Sequence, residues 1–193
     1  PFCVGDDEVT FTESGVFTYG GNTITGWNPT IAGDYLITYT VTDINGCSAS
    51  CNFTIVVNPL PVITTCPAYG PFCVGDDEVT FTETGVFTYG GNTISGWDPT
   101  LAGDYLITYT VTDINGCSAS CNFTIVVNPL PVITTCPAYG PFCVGDDEVT
   151  FSESGVFTYG GNVITGWDPT LAGDYLITYT VTDNNNCSAS CDF

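Results

Sequence analysis

The side chains that carry most enzymatic chemistry are missing here: 193 residues hold 21 Asp and Glu but no His, Lys or Arg. There is no imidazole to activate a nucleophile, no amine for a Schiff base and no cationic clamp for an oxyanion or a phosphate. Paired carboxylates of the glycosidase kind remain. The acidic residues recur in turn-like segments, however, and the sequence reads as non-enzymatic. A polyanion also cannot neutralise phosphates, which excludes nucleic acid, and no apolar run approaches the roughly 20 residues of a membrane span. What carboxylates can do is hold a hard cation such as Ca²⁺. Asp6, Asp7 and Glu8 closely follow Cys3, while Asp43 and Asn45 closely precede Cys47. A Cys3–Cys47 bridge would bring these oxygens to one place. The equivalent sets are Asp76, Asp77, Glu78, Asp113 and Asn115, then Asp146, Asp147, Glu148, Asp183 and Asn185. Calcium is the one cofactor these residues suggest; the same residue types also serve as turn formers and solvated edge charges.

Eleven cysteines in so short a chain indicate an oxidising, extracellular compartment. Each repeat carries four, and four cysteines leave three connectivities open. The favoured one joins Cys73 to Cys117 and Cys66 to Cys121, because Cys121 points inward on a late strand and Cys66 ends an early one. Translated along the chain, it gives Cys3–Cys47, Cys136–Cys191 and Cys143–Cys187. Cys51 is left unpaired, its expected partner lying before Pro1; pairing between chains is the alternative.

The elements that must position these residues repeat. Pro-Phe-Cys-Val-Gly-Asp-Asp-Glu begins at Pro1, Pro71 and Pro141, a period of 70 residues. A unit of about 70 residues closes one small domain. The expected organisation is a module over 1–57 lacking its leading strand, a linker over 58–61, a complete module over 62–127, a linker over 128–131, and a module over 132–193 with its last strand truncated. Asn58-Pro59-Leu60-Pro61 favours an extended, semi-rigid connector. Strand signals dominate each unit. From Asp34 to Asp43, Tyr35, Ile37, Tyr39 and Val41 alternate with Leu36, Thr38, Thr40 and Thr42. From Ser48 to Val57, Cys51, Phe53, Ile55 and Val57 alternate with Ser50, Asn52 and Thr54. Asn45-Gly46 between them is a strong hairpin signal. Shorter strands are expected at Val9–Phe11, Val16–Tyr19, Ile24–Trp27 and Val62–Cys66, with Asp34 as a corner residue. Six or seven short strands per unit make an all-β sandwich.

Gly33-Asp34-Tyr35, Thr40-Val41-Thr42-Asp43, Asn45-Gly46-Cys47 and Cys51-Asn52-Phe53-Thr54-Ile55-Val56-Val57 resemble the C-terminal half of hyalin-repeat and related immunoglobulin-like modules. Thr65-Cys66-Pro67 resembles the start of such a module. The resemblance covers most of each repeat and implies tandem immunoglobulin-like sandwiches from a large bacterial surface protein, with an adhesive or spacer role and no catalysis.

The remaining candidates are few. Trp27, Trp97 and Trp167 could stack on sugars, but one Trp per sandwich is ordinarily core. The Thr38, Thr40 and Thr42 row reads as a solvated strand face. Asn52 and Asn122 head formal glycosylation sequons. The expectation is a structural segment of an extracellular fibre, filament or adhesin stalk whose partners are its own repeats or fibre neighbours. The alternative is a multivalent, calcium-dependent binder of a glycan or another cell surface.

Overall fold

A computed structural model describes all of residues 1–193, and it is all-β, without a helix. The first repeat forms β1 (Phe2–Cys3), β2 (Val9–Thr10), β3 (Val16–Tyr19), β4 (Asn22–Ile24), β5 (Gly26–Trp27), β6 (Gly33–Thr42) and β7 (Ser48–Asn58). Five of these make one sheet in the order β1-β7-β6-β3-β4, and β2 with β5 makes a second, two-stranded one. The second repeat places the same seven strands 70 residues on, from Phe72–Cys73 to Ser118–Asn128. The third has six strands, from Val149–Thr150 to Ser188–Asp192, and none at Phe142–Cys143.

The alternating β-branched and aromatic residues of β6 explain the central hairpin: one face packs inward and the other stays wet. Ile37 is fully buried while Leu36 is exposed. Pairing runs in register from Gly33↔Val57 to Thr42↔Ser48. The turn between β6 and β7 is capped by Asp43, whose Oδ1 accepts from the backbone N–H of Asn45 and of Cys47. Gly46 takes φ 84°, and Asn186 takes φ 64° at the matching place in the third repeat; Gly and Asn tolerate that left-handed conformation best. Beside the turn, Thr42 and Ser48 share a hydroxyl bond of 2.8 Å.

The core of the first repeat is Phe17, Ile37, Ile55 and Val57, with Phe11 and Trp27 packed on it from beside and within the two-stranded sheet. Phe17 lies 4.4 Å from Phe11 and 4.6 Å from Tyr39, ring centre to ring centre. The same aromatic grouping recurs around Phe157 and Tyr179 in the third repeat.

Two expectations change. Val62–Cys66 forms no strand, and Val62 is 85 % exposed; two prolines immediately upstream remove ladder donors, and Cys66 is held by its sulfur instead. Asp34 is not a corner residue but lies within β6, opposite Val56. The corner is held from further along, by the Tyr35 hydroxyl donating to the Ile31 carbonyl at 2.7 Å.

The chain divides into two compact units whose borders do not follow the repeats. One comprises Pro1–Pro67, Thr82–Ile94 and Ile107–Phe123; the other comprises Ala68–Phe81, Ser95–Leu106 and Thr124–Phe193.

Candidate functional site

The cysteines and the carboxylates beside them form the site that the strands position. Four disulfides are present: Cys66–Cys121 and Cys136–Cys191, each spanning 55 residues, and Cys3–Cys117 and Cys73–Cys187, each spanning 114. The first two join residues that the sequence reading paired. The second two correct it, since Cys3–Cys47, Cys73–Cys117 and Cys143–Cys187 do not form.

The reason lies in strand direction. β1 runs parallel to the end of β7, with Phe2 opposite Val57 and Cys3 opposite Asn58. Cys47 stands just before Ser48, at the other end of the same strand. Eleven residues of strand at about 3.3 Å each separate the two by more than 30 Å, far beyond the reach of a disulfide. Cys3 bonds instead to the hairpin turn of the following repeat, and Cys73 does the same one period later. The turn cysteine is thereby covered: Cys117 and Cys187 are 1 % and 0 % exposed. Cys47, Cys51 and Cys143 are free and exposed.

Both partners of the inter-repeat bridge are held by carboxylates. Asp6 Oδ2 accepts from the Cys3 N–H at 2.7 Å, and Asp113 Oδ1 accepts from the Cys117 N–H at 2.9 Å. The pattern recurs at Asp76 with Cys73 and Asp183 with Cys187, and Asp146 holds Cys143 likewise. These aspartates act as turn caps that fix the backbone on each side of the bridge.

That arrangement also separates the residues named as candidate calcium ligands. Within one repeat, Asp6, Asp7 and Glu8 lie at the opposite end of β7 from Asp43 and Asn45, so the five do not converge. In the second repeat Asp76, Asp77 and Glu78 are separated from Asp113 and Asn115 in the same way; in the third, Asp146, Asp147, Glu148, Asp183 and Asn185 form no cluster either. No three His, Cys, Asp or Glu side chains lie together in one cluster.

Of the other candidates, Trp27, Trp97 and Trp167 are half-buried. Trp27 packs 4.4 Å from Tyr35 and 5.2 Å from Tyr19, with Nε1 buried and unpartnered, and its ring lies against the core. Asn52 and Asn122 stand on exposed strand positions, and Asn122 accepts from the Thr108 hydroxyl at 2.8 Å. One carboxylate is perturbed: the Tyr139 hydroxyl donates to Glu153 and holds its carboxyl below the ordinary glutamate range.

No family model matches the chain, and no curated protein matches it. Among solved structures it is similar to the Bacteroides ovatus mixed-linkage glucan utilization locus protein SGBP-B in complex with a mixed-linkage heptasaccharide. The identity is 16 % and the TM-score 0.27, over 98 % of this chain. The chain spans 64 % of the length of that protein.

The inter-repeat bridge is the feature that sequence reasoning missed. Phe2-Cys3 is too short to show alternation, so nothing marked it as a strand parallel to Val57–Asn58. One usable signal was present: Asn58-Pro59 ends β7 and leads into the next repeat, so any strand beside Asn58 faces that repeat and not its own turn.

Proposed function

We propose that this chain is a structural repeat segment of an extracellular fibre, filament or adhesin stalk, in which disulfides lock each repeat to the next. One observation carries the reading: Cys3–Cys117 and Cys73–Cys187 have the same span and join the first strand of one repeat to the hairpin turn of the following one. A chain of independently tethered binding modules has no need of such bonds. A load-bearing series does, because a covalent junction keeps neighbours in register when the backbone between them is pulled. With Cys66–Cys121 and Cys136–Cys191 already in place, loop-closure entropy gives each such bridge about 4 kcal/mol, a large fraction of the stability of a small domain. The four disulfides fit an oxidising, extracellular setting, and no helix is long and apolar enough to cross a membrane. On this reading the chain has no catalytic role and needs no cofactor, and its partners are its own repeats and fibre neighbours.

Electron microscopy of the native material tests this directly. A thread beaded at a regular spacing, losing its regularity in reductant, is the expected image. Dispersed particles with no end-to-end continuity would overturn it. Saturable binding of a mixed-linkage glucan oligosaccharide with one site per repeat would favour the multivalent binder instead.

A further inference from the structure

The four disulfides adjoin one another along the chain. Cys3 bonds to Cys117, and Cys117-Ser118-Ala119-Ser120-Cys121 leads to Cys121, which bonds to Cys66. From Cys66 the chain passes to Cys73, which bonds to Cys187. Cys187-Ser188-Ala189-Ser190-Cys191 then leads to Cys191, bonded in turn to Cys136. All eight bonded cysteines therefore lie on one covalent circuit. Its backbone links have little slack. Ser118 to Cys121 and Ser188 to Cys191 are strand, already at about 3.3 Å per residue, and the turn cysteines that open them are buried. Cys73 sits in a strand beside Asn128.

The circuit is far shorter than the chain it joins. Between Cys3 and Cys191 it takes about 15 residues and three bridges; at no more than about 3.5 Å per residue and about 6 Å per bridge, it reaches about 70 Å. The backbone between the same two residues reaches about 650 Å. Tension applied outside Cys3 and Cys191 is therefore borne by the circuit, and the apolar cores lie beside the load rather than in it. The circuit also has no gap. Positions 3 to 117 lie within the Cys3–Cys117 loop, 73 to 187 within the Cys73–Cys187 loop, and 136 to 191 within the Cys136–Cys191 loop. Both proline linkers fall inside, 58–61 in the first loop and 128–131 in the second.

We propose that this circuit is the load path of the molecule, capping its extension at a small fraction of its backbone length and keeping it whole when any one peptide bond between Cys3 and Cys191 is cut. The proposal deepens the fibre reading and rests on it for the source of the load. The circuit itself belongs to a single chain, so a failure to see threads and a failure of the circuit register in different measurements. Bridges confined to single repeats would make a different object, because both linkers would then lie outside every loop and be joined by backbone alone.

The test uses the 193-residue chain with its free thiols alkylated and a handle at each end. Stretched in an optical trap, it should draw taut at about 80 Å, and at about 670 Å once reduced. Cys3→Ala/Cys117→Ala, which forces about 78 backbone residues into the path, should draw taut at about 280 Å, more than threefold longer than the parent. Elastase supplies an independent readout, because Val62 and Val132 beside the linkers are 85 % and 83 % exposed. Cleavage there should leave one covalent species under denaturing, non-reducing conditions, with the parent mass plus one water per cut. Only reductant should break it into repeat-sized pieces. An oxidised parent that draws taut at about 150 Å, the value for bridges confined to single repeats, or beyond it, would overturn the proposal. A double variant no longer than the parent, or release of a repeat from the oxidised chain by a linker cut, would do the same.

Discussion

Substitutions at an inter-repeat bridge and at Cys47, taken together, discriminate the observed disulfide pattern from the in-repeat one. In the Cys3→Ala/Cys117→Ala variant, Cys66–Cys121 remains and already shortens the covalent path between positions 3 and 117. The loop that the missing bond had closed is then about 68 residues, for which chain entropy gives about 4 kcal/mol. In a cooperative body of roughly 100 residues this lowers the melting midpoint by at least about 15 °C. Cys47 is free and exposed, so Cys47→Ala should leave the midpoint where it was. In-repeat pairing would also destabilise the double variant, which would then lose Cys3–Cys47 and Cys73–Cys117, but it alone makes Cys47→Ala costly, by about 4 kcal/mol for a loop of about 44 residues. Thermal unfolding followed by circular dichroism reads both variants. Peptide mapping of the parent needs pepsin or chymotrypsin, since a chain without Lys or Arg offers trypsin no site. A Cys3–Cys47 peptide, or a double variant that melts with the parent, would refute the argument.

Four further outcomes follow from local geometry. At Gly96 an added Cβ would lie 2.3 Å from the Val79 carbonyl oxygen, so Gly96→Ala should cost about 1–3 kcal/mol by overpacking; Gly116→Asn, which copies the residue at position 186, should stay within about 1 kcal/mol of the parent in denaturant melts. Since the acidic residues of one repeat lie at opposite ends of β7 and no three gather, a chelator should shift the melting midpoint by less than about 1 °C, and a drop of several degrees would show a structural cation. The Tyr139 bond favours ionised Glu153 in the fold, so its contribution is present above the ordinary glutamate range and fades as pH falls through the lowered folded value; Tyr139→Phe should move the carboxyl titration upward by NMR, and an unmoved titration would remove Tyr139 as the cause.

The hairpin of β6 and β7 was legible because it is long, alternating and punctuated by Asn45-Gly46, so that period, turn chemistry and residue type agree. Trp27 was legible as core for a similar reason: a lone large aromatic in a small sandwich has no cheaper place to go. Phe2-Cys3 was not, because a two-residue strand has no period and its partner is set only by the tertiary path of β7. Val62–Cys66 misled for the opposite reason, since β-branched residues suggested a strand while the prolines before them denied it donors. The carboxylates followed the cysteines into error: once Cys3 was placed beside Cys47, Asp6 had to lie near Asp43. Spacing in sequence became spacing in the fold only where a strand's direction was known.

With 21 negative charges and no basic side chain, no charged pair of side chains in this molecule attracts, and compaction works against self-repulsion. The junction between repeats concentrates the problem, because Asp6 and Asp113 flank the Cys3–Cys117 bond as backbone caps. A disulfide tolerates that repulsion where a non-covalent contact would not. The same carboxylates also guard the bond. A thiolate attacking the sulfur must approach two negative charges, and for a reagent charge held roughly 8 Å from each, every extra unit meets about 0.5 kcal/mol per carboxylate even in water. A thiol carrying one further net negative charge should therefore reduce Cys3–Cys117 about fivefold more slowly than a neutral one of matched thiol acidity. The difference should shrink as salt shortens the screening length below that distance. Stopped-time alkylation and mass analysis of the released cysteines would measure both rates. Equal rates at low salt would mean that the aspartates only cap the turns and leave the bond unguarded.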